Sequence, residues 1–139
     1  IRASVWSVTS FNELRKEALA CEHWNHLHPL EEPRVPWVTR QMRGVRGAIV
    51  AASDYMRIVA EQIRPFLPSG MPYVTLGTDG FGRSDSRERL RTHFQVNRYF
   101  IAIAALNALA DDGVVGRTLV QDAIERFGID AEKPFAPQV

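Results

Sequence analysis

Residues 73–94 read YVTLGTDGFGRSDSRERLRTHF, and their order sets the fold class of the chain. Tyr73, Val74, Thr75 and Leu76 are aromatic, β-branched or aliphatic and follow Pro72, which makes them a short buried strand. Gly77, Gly80 and Gly82 come next, spaced so that the backbone can take left-handed angles and approach another group closely. Ser84 and Asp85 then open a helix, with Glu88 three residues beyond Asp85 in the capping-box spacing. Leu90 and Phe94, four apart, give that helix an apolar stripe.

The glycine turn admits two chemistries. Residues 77–84, GTDGFGRS, have the outline of the phosphate loop G-x-x-x-x-G-K-[ST], with Arg83 in the lysine position. That loop needs a lysine point charge at the phosphates and a hydroxyl on Mg²⁺, and a planar arginine does not replace the lysine at a tight site. The dinucleotide fingerprint G-x-G-x-x-G also fails, because Asp85 stands where its third glycine belongs. The other reading is a tight strand-to-helix turn in which Asp79, Asp85, Arg83 and Arg87 form local ion pairs. Gly77, Asp79, Gly80, Gly82, Arg83, Asp85 and Arg87 are therefore assigned to a structural or interface loop, with no catalytic, cofactor-binding or metal residue among them.

Upstream, residues 48–52 (AIVAA) form a continuous apolar run of the kind found in parallel strands buried on both faces. Ser53 caps a helix over residues 54–66 whose core face is Tyr55, Val59, Ile63 and Phe66, ended by Pro65 and Pro68. Strand, helix and strand from 48 to 76 make a βαβ unit, which should be right-handed. Residues 5–9 alternate apolar and hydroxyl side chains and read as a further strand. Ser10, with Glu13 as capping-box partner, starts a helix over 11–24 with Phe11, Leu14, Ala18 and Cys21 on one face. Residues 38–43 form a short helix, and Arg40, Arg43 and Arg46 beside it read as a solvated basic rim. A helix over 97–112, apolar without a break from Phe100 to Ala105, should be buried on most sides and is stopped by Gly113. A last amphipathic helix, 117–127, ends at Gly128, and residues 133–139 carry two prolines and should be loosely held. The pattern is a three-layer α/β domain with a mainly parallel sheet.

Other features bound the function. Cys21, His23, His26 and His28 match no standard zinc spacing, and residues two apart on a helix point apart, so no metal is assigned there. Residues 25–36 contain Pro29, Pro33 and Pro36 and form a long connection flanked by Trp24 and Trp37. Such connections are often functional or pack on a neighbour. The 139 residues suit one domain with a core, and the net charge of +1 gives no electrostatic case for nucleic acid or membrane as a partner. The single cysteine fits a reducing cytoplasm.

Three stretches carry a family resemblance: GTDGFGRSDSRERLRTHFQV (77–96), VWSVTSFNELRKEALACEHWNHLHP (5–29) and VAASDYMRIVAEQIRPFLP (50–68). Together they resemble the C-terminal segment of the homodimeric bacterial pyruvate dehydrogenases. That family has a transketolase-like plan, in which two earlier domains bind thiamine diphosphate and Mg²⁺ and a third follows. The resemblance implies that residues 1–139 are a single C-terminal domain of a longer chain, lacking that domain's first strand and helix. It also implies that the full chain decarboxylates pyruvate and reductively acetylates the lipoyl group of dihydrolipoyl acetyltransferase. The implied partners are a second subunit, the preceding cofactor-binding domains and the acyltransferase. The residues by themselves should bind no cofactor and be inactive. A docking module for the acyltransferase core, and a nucleotide-binding domain built on 77–84, are the rival readings.

Overall fold

The computed structural model describes residues 2–136. The chain divides into two compact units, one of Ile1–Gly44 with Gln62–Pro68 and the other of Val45–Glu61 with Ser69–Val139.

The first unit is built on helix α1, Phe11–Leu27, and the short helix α2, Trp37–Met42. Ser10 caps α1 as its sequence position predicts, its side chain accepting from the Glu13 N–H at 3.2 Å. Ala18 and Cys21 from α1, Val38 from α2, and Ile63 and Phe66 from the later segment are its buried apolar residues. Burial pushes the Cys21 thiol above its ordinary range, and the neighbouring Glu17 carboxylate adds to this. The thiol is thereby kept in its unreactive form. The Thr39 hydroxyl donates to Phe66 O at 2.5 Å, tying residues 64–66, a 3-10 turn, to α2.

The predicted strand over 5–9 is not formed. Residues 2–9 are exposed and irregular, and Val5 is 96% exposed. β propensity without a ladder partner leaves the backbone donors and acceptors to water, so alternation alone does not make a strand.

The second unit holds the βαβ unit. Strands β1, Ile49–Ala52, and β2, Tyr73–Leu76, pair in parallel with Ile49 opposite Tyr73 and Ala52 opposite Leu76. The sheet has two strands among the described residues. On β2, Tyr73 and Thr75 are the buried pair. The Tyr73 hydroxyl donates to Ala60 O at 2.8 Å and the Thr75 hydroxyl donates to the Glu61 carboxylate, so helix α3, Arg57–Glu61, lies on their face. Alternation turns Val74 to the other face, where it lines a cleft with Ala104 and Ala108 of helix α5, Arg98–Asp111. Helix, sheet and helix are thus layered, as an α/β domain requires.

The helix predicted over 54–66 is shorter than expected. Ser53 accepts from the Tyr55 N–H at 3.1 Å and forms a turn, not a helix cap, so α3 begins only at Arg57. Tyr55, predicted to face the core, is 58% exposed. In α5 only Ile103 and Ala108 are buried, so the long apolar run is half-covered and not buried on most sides. Helix α4, Arg87–His93, connects β2 to α5, and helix α6, Arg117–Arg126, follows and packs on α5, with Phe127 against Tyr99 at 5.0 Å.

Candidate functional site

Two turns leave the carboxyl ends of β1 and β2, and their backbones lock together. Ser53 N–H donates to Leu76 O at 3.0 Å, and Thr78 N–H donates to Tyr55 O at 3.0 Å. The Thr78 hydroxyl adds a bond to Asp54 O at 3.0 Å. Gly77 lies under this crossing, buried and without room for a side chain. A glycine is needed there for close approach, not for a left-handed angle.

Asp79 completes the junction. Its carboxylate accepts from the Arg57 N–H at 3.1 Å and from the Arg57 Nε–H, so it caps α3 and holds the arginine at once. The Arg57 guanidinium lies over the Phe135 ring at 5.4 Å. Leu76, Gly77, Phe94, Gln95 and Ala136 close a cavity of about 30 Å³ beside the pair. That volume holds about one water molecule. A larger cleft of about 500 Å³ opens at the amino end of β2, floored by Tyr73, Val74, Ala104 and Ala108. Asp111 on its rim is already paired with Arg117 at 2.8 Å.

Beyond Asp79 the loop changes character. Residues 80–89 are all exposed, and Phe81 at 84% exposure is carried on the tip. Gly80 takes φ +101°, whereas Gly82 has no left-handed angle and open space around it. The cap of α4 is Ser86, which accepts from the Arg89 N–H at 3.4 Å, and not Ser84 or Asp85. Asp85 accepts instead from the Ser86 N–H at 2.7 Å, a local turn that delays the helix.

The local ion pairs expected among Asp79, Asp85, Arg83 and Arg87 are not made. Asp79 is taken by Arg57, 22 residues away in sequence, and the nearest cation to Asp85 is Arg89 at 3.9 Å. Arg83 and Arg87 are exposed. The phosphate-loop outline loses its basis as well, since Gly77 and Asp79 are spent on packing against Tyr55 and Arg57.

Three contributors carried no sequence signal. Gln95 sits at φ +59°, where α4 ends in a Schellman turn: Val96 N–H reaches Arg91 O at 2.9 Å and Gln95 N–H reaches Thr92 O at 3.4 Å. Glycine is usual at that position, as at Gly113 and Gly128 after α5 and α6. Lys133 Nζ donates to Thr92 O at 3.1 Å and His93 O at 3.5 Å, placing its charge on the carbonyl end of α4. Phe135 and the buried Ala136 follow it, so residues 133–136 are anchored and not loosely held; residues 137–139 of that expectation lie outside the described residues. Beside this anchor, partial burial pulls the His93 imidazole below its ordinary pKa, and the Arg83 and Lys133 charges push the same way.

These residues do not fit a thiamine diphosphate or Mg²⁺ site. The Asp79 carboxylate is engaged by Arg57, the cavity beside it has room for about one water, and no group of three His, Cys, Asp or Glu side chains among the described residues could hold a metal. In the first unit, Cys21 points into the core while His28 stacks on Trp24 at 4.2 Å, so the Cys–His cluster is not assembled. No helix among the described residues is long and apolar enough to cross a membrane.

Residues 1–97 match the profile of the transketolase-like TK C-terminal domain. The chain is 53% identical over 133 residues to the pyruvate dehydrogenase E1 component of Pseudomonas aeruginosa, covering 96% of this chain and 15% of that protein. It is 48% identical over 134 residues to the E1 component of Cupriavidus necator and 50% identical over 133 residues to that of Escherichia coli (strain K12), with the same coverage. The chain therefore spans about 15% of the length of the curated relatives it matches. On the profile match and these identities, the chain belongs to the transketolase-like C-terminal domain family.

Proposed function

We propose that this chain serves as the C-terminal, architectural domain of a cytoplasmic pyruvate dehydrogenase E1 component. The observation that carries the reading is identity of 53% maintained across 96% of the chain with a protein of that name. The whole protein decarboxylates pyruvate with thiamine diphosphate and Mg²⁺ and reductively acetylates the lipoyl group of dihydrolipoyl acetyltransferase. The cofactor supplies the carbanion chemistry, held by domains other than this one. The domain's own work is to pack on those domains and on the second subunit of a homodimer. The junction of Gly77, Thr78 and Asp79 with residues 54–57 gives it a rigid end from which the exposed loop projects.

The test is to express the complete gene product and measure pyruvate-dependent acetylation of a lipoyl domain with thiamine diphosphate and Mg²⁺. A gene product inert under those conditions overturns the reading. Residues 1–139 alone should give no saturable heat with thiamine diphosphate and Mg²⁺ in calorimetry, and micromolar binding would contradict the architectural role.

A further inference from the structure

The stripe of α5 that faces β2 does not fill the space in front of it. Ala104, Asn107, Ala108 and Asp111 follow one another at three- and four-residue steps, and all four line the cleft of about 500 Å³ at the amino end of β2. A core-facing stripe normally carries large apolar side chains. Two alanines stand in their place here, so Val74 and Ala104 are left half-buried at the floor of the cleft. The Asn107 amide lines the same space, is half-buried, and has no hydrogen-bond partner among the described residues.

The charge at one end of this cleft runs against the helix that carries it. The last carbonyls of α5 form the negative end of the helix dipole, where cations stabilise and carboxylates destabilise. Lys133 obeys that rule at the carbonyl end of α4. At the end of α5 stand Asp111 and Asp112 instead, with no basic residue in the last turn. Arg117 answers Asp111 at 2.8 Å. The exposed Asp112 carboxylate has no hydrogen-bond or ion-pair partner among the described residues. One carboxylate and one helix end are thus uncompensated, together, at the end of an apolar trench. A locally unfavourable charge beside a cavity is the kind of departure that function retains.

We infer that the cleft between β2 and α5 binds a small organic cation, a primary ammonium or guanidinium on a short apolar body. The cationic nitrogen meets Asp112 and the carbonyl end of α5, the Asn107 amide oxygen accepts a further N–H, and the apolar body covers Val74, Ala104 and Ala108. The same carboxylates repel an anion. A bare metal ion would find two carboxylates there, one of them already held by Arg117, and no group of three ligands is assembled among the described residues. The volume suits an organic ligand, since small-molecule sites span about 300–1,000 Å³. The inference uses only β2 and α5 and stands apart from the proposed function.

The test is ligand-observed NMR on the complete gene product with 2-phenylethylammonium as the probe. Its controls are 2-phenylethanol and phenylacetate, which keep the apolar body without the positive charge. The ammonium should saturate with a dissociation constant on the order of 1 mM, a fragment's affinity. The alcohol should bind about tenfold more weakly, the worth of one charged hydrogen bond, and phenylacetate should not bind. Asp112→Asn should bring the ammonium and the alcohol to equal affinity, and Ala104→Leu should abolish both by filling the trench. Asp112 is exposed, so its variant carries the test even where Ala104→Leu does not fold. Amide hydrogen exchange in the last turn of α5 gives a second reading. It should slow about threefold both in ligand-free Asp112→Asn and in the wild type saturated with the ammonium, the effect of one charge at a helix end. The inference is overturned by equal affinity of the wild type for ammonium and alcohol, by no saturable binding, or by an ammonium preference that survives Asp112→Asn. Exchange that does not slow in Asp112→Asn also overturns it, as does a folded Ala104→Leu that binds like the wild type.

Discussion

A Cβ placed on Gly77 would lie 2.5 Å from the carbonyl oxygen of Tyr55 and 2.6 Å from the backbone nitrogen of Arg57. Both obstacles are backbone, so no rotamer change relieves them. Gly77→Ala should cost about 3 kcal/mol, the upper range for overpacking, or prevent folding. Gly82→Ala, in open space without a left-handed angle, should stay within about 0.5 kcal/mol of wild type. Gly80→Ala falls between, at about 1–2 kcal/mol, because of its positive φ. Urea denaturation of the three variants gives the order, and equal midpoints for Gly77→Ala and Gly82→Ala would refute it.

Asp79→Ala removes the acceptor for two donors of Arg57. The side-chain pair is partly solvated, with 42% of the Arg57 and 24% of the Asp79 side chain exposed, so it contributes less than about 1 kcal/mol. The cap on the Arg57 N–H adds about 1 kcal/mol. A total loss near 2 kcal/mol is expected, with Asp79→Asn retaining the larger part. Added salt should weaken the wild type slightly and leave the alanine variant unchanged.

Gln95→Gly should stabilise the protein by about 1 kcal/mol, since a left-handed angle burdens every side chain and spares glycine. Thermal unfolding reads this directly. A lower melting temperature for the glycine variant would mean that the Gln95 side chain gives more in the small cavity than its backbone loses.

The His93 imidazole titrates below its ordinary value in the folded state, through partial burial first and then Arg83 and Lys133. The unfolded chain therefore binds this proton more readily than the native one, and stability rises with pH across the interval between the two values. On acidification from the ordinary histidine pKa of about 6.5 downward, the contribution from His93 is lost. His93→Gln should flatten that part of the stability profile, and Arg83→Ala should lessen its slope. An unaltered profile in His93→Gln would assign the acid sensitivity elsewhere.

Much of the fold could be read locally. Ser10 and Glu13 announce α1, the runs at 49–52 and 73–76 are strands, and Gly113 and Gly128 stop their helices. Two misreadings trace to a partner distant in sequence. The start of α3 depends on Asp79 and the strand expected at 5–9 on a ladder neighbour, whereas the later start of α4 comes from the local turn at Asp85. The glycines mark the candidate loop, but its pairing is not legible there, because charge counting within the loop cannot see Arg57.

The register of the sheet has a kinetic consequence. Ile49 faces Tyr73, Thr78 reaches Asp54, and Asp79 reaches Arg57 at a separation of 22 residues, so all these links close essentially the same loop. No hairpin can form first in a parallel pair, and the closure entropy must be met before any of these contacts repays it. The βα crossover should then form as one event, with the Gly77 crossing inside the folding nucleus. Asp79→Ala should therefore slow refolding by most of its stability loss and scarcely quicken unfolding, whereas Gln95→Gly, whose turn is local to α4, should act chiefly on the unfolding rate.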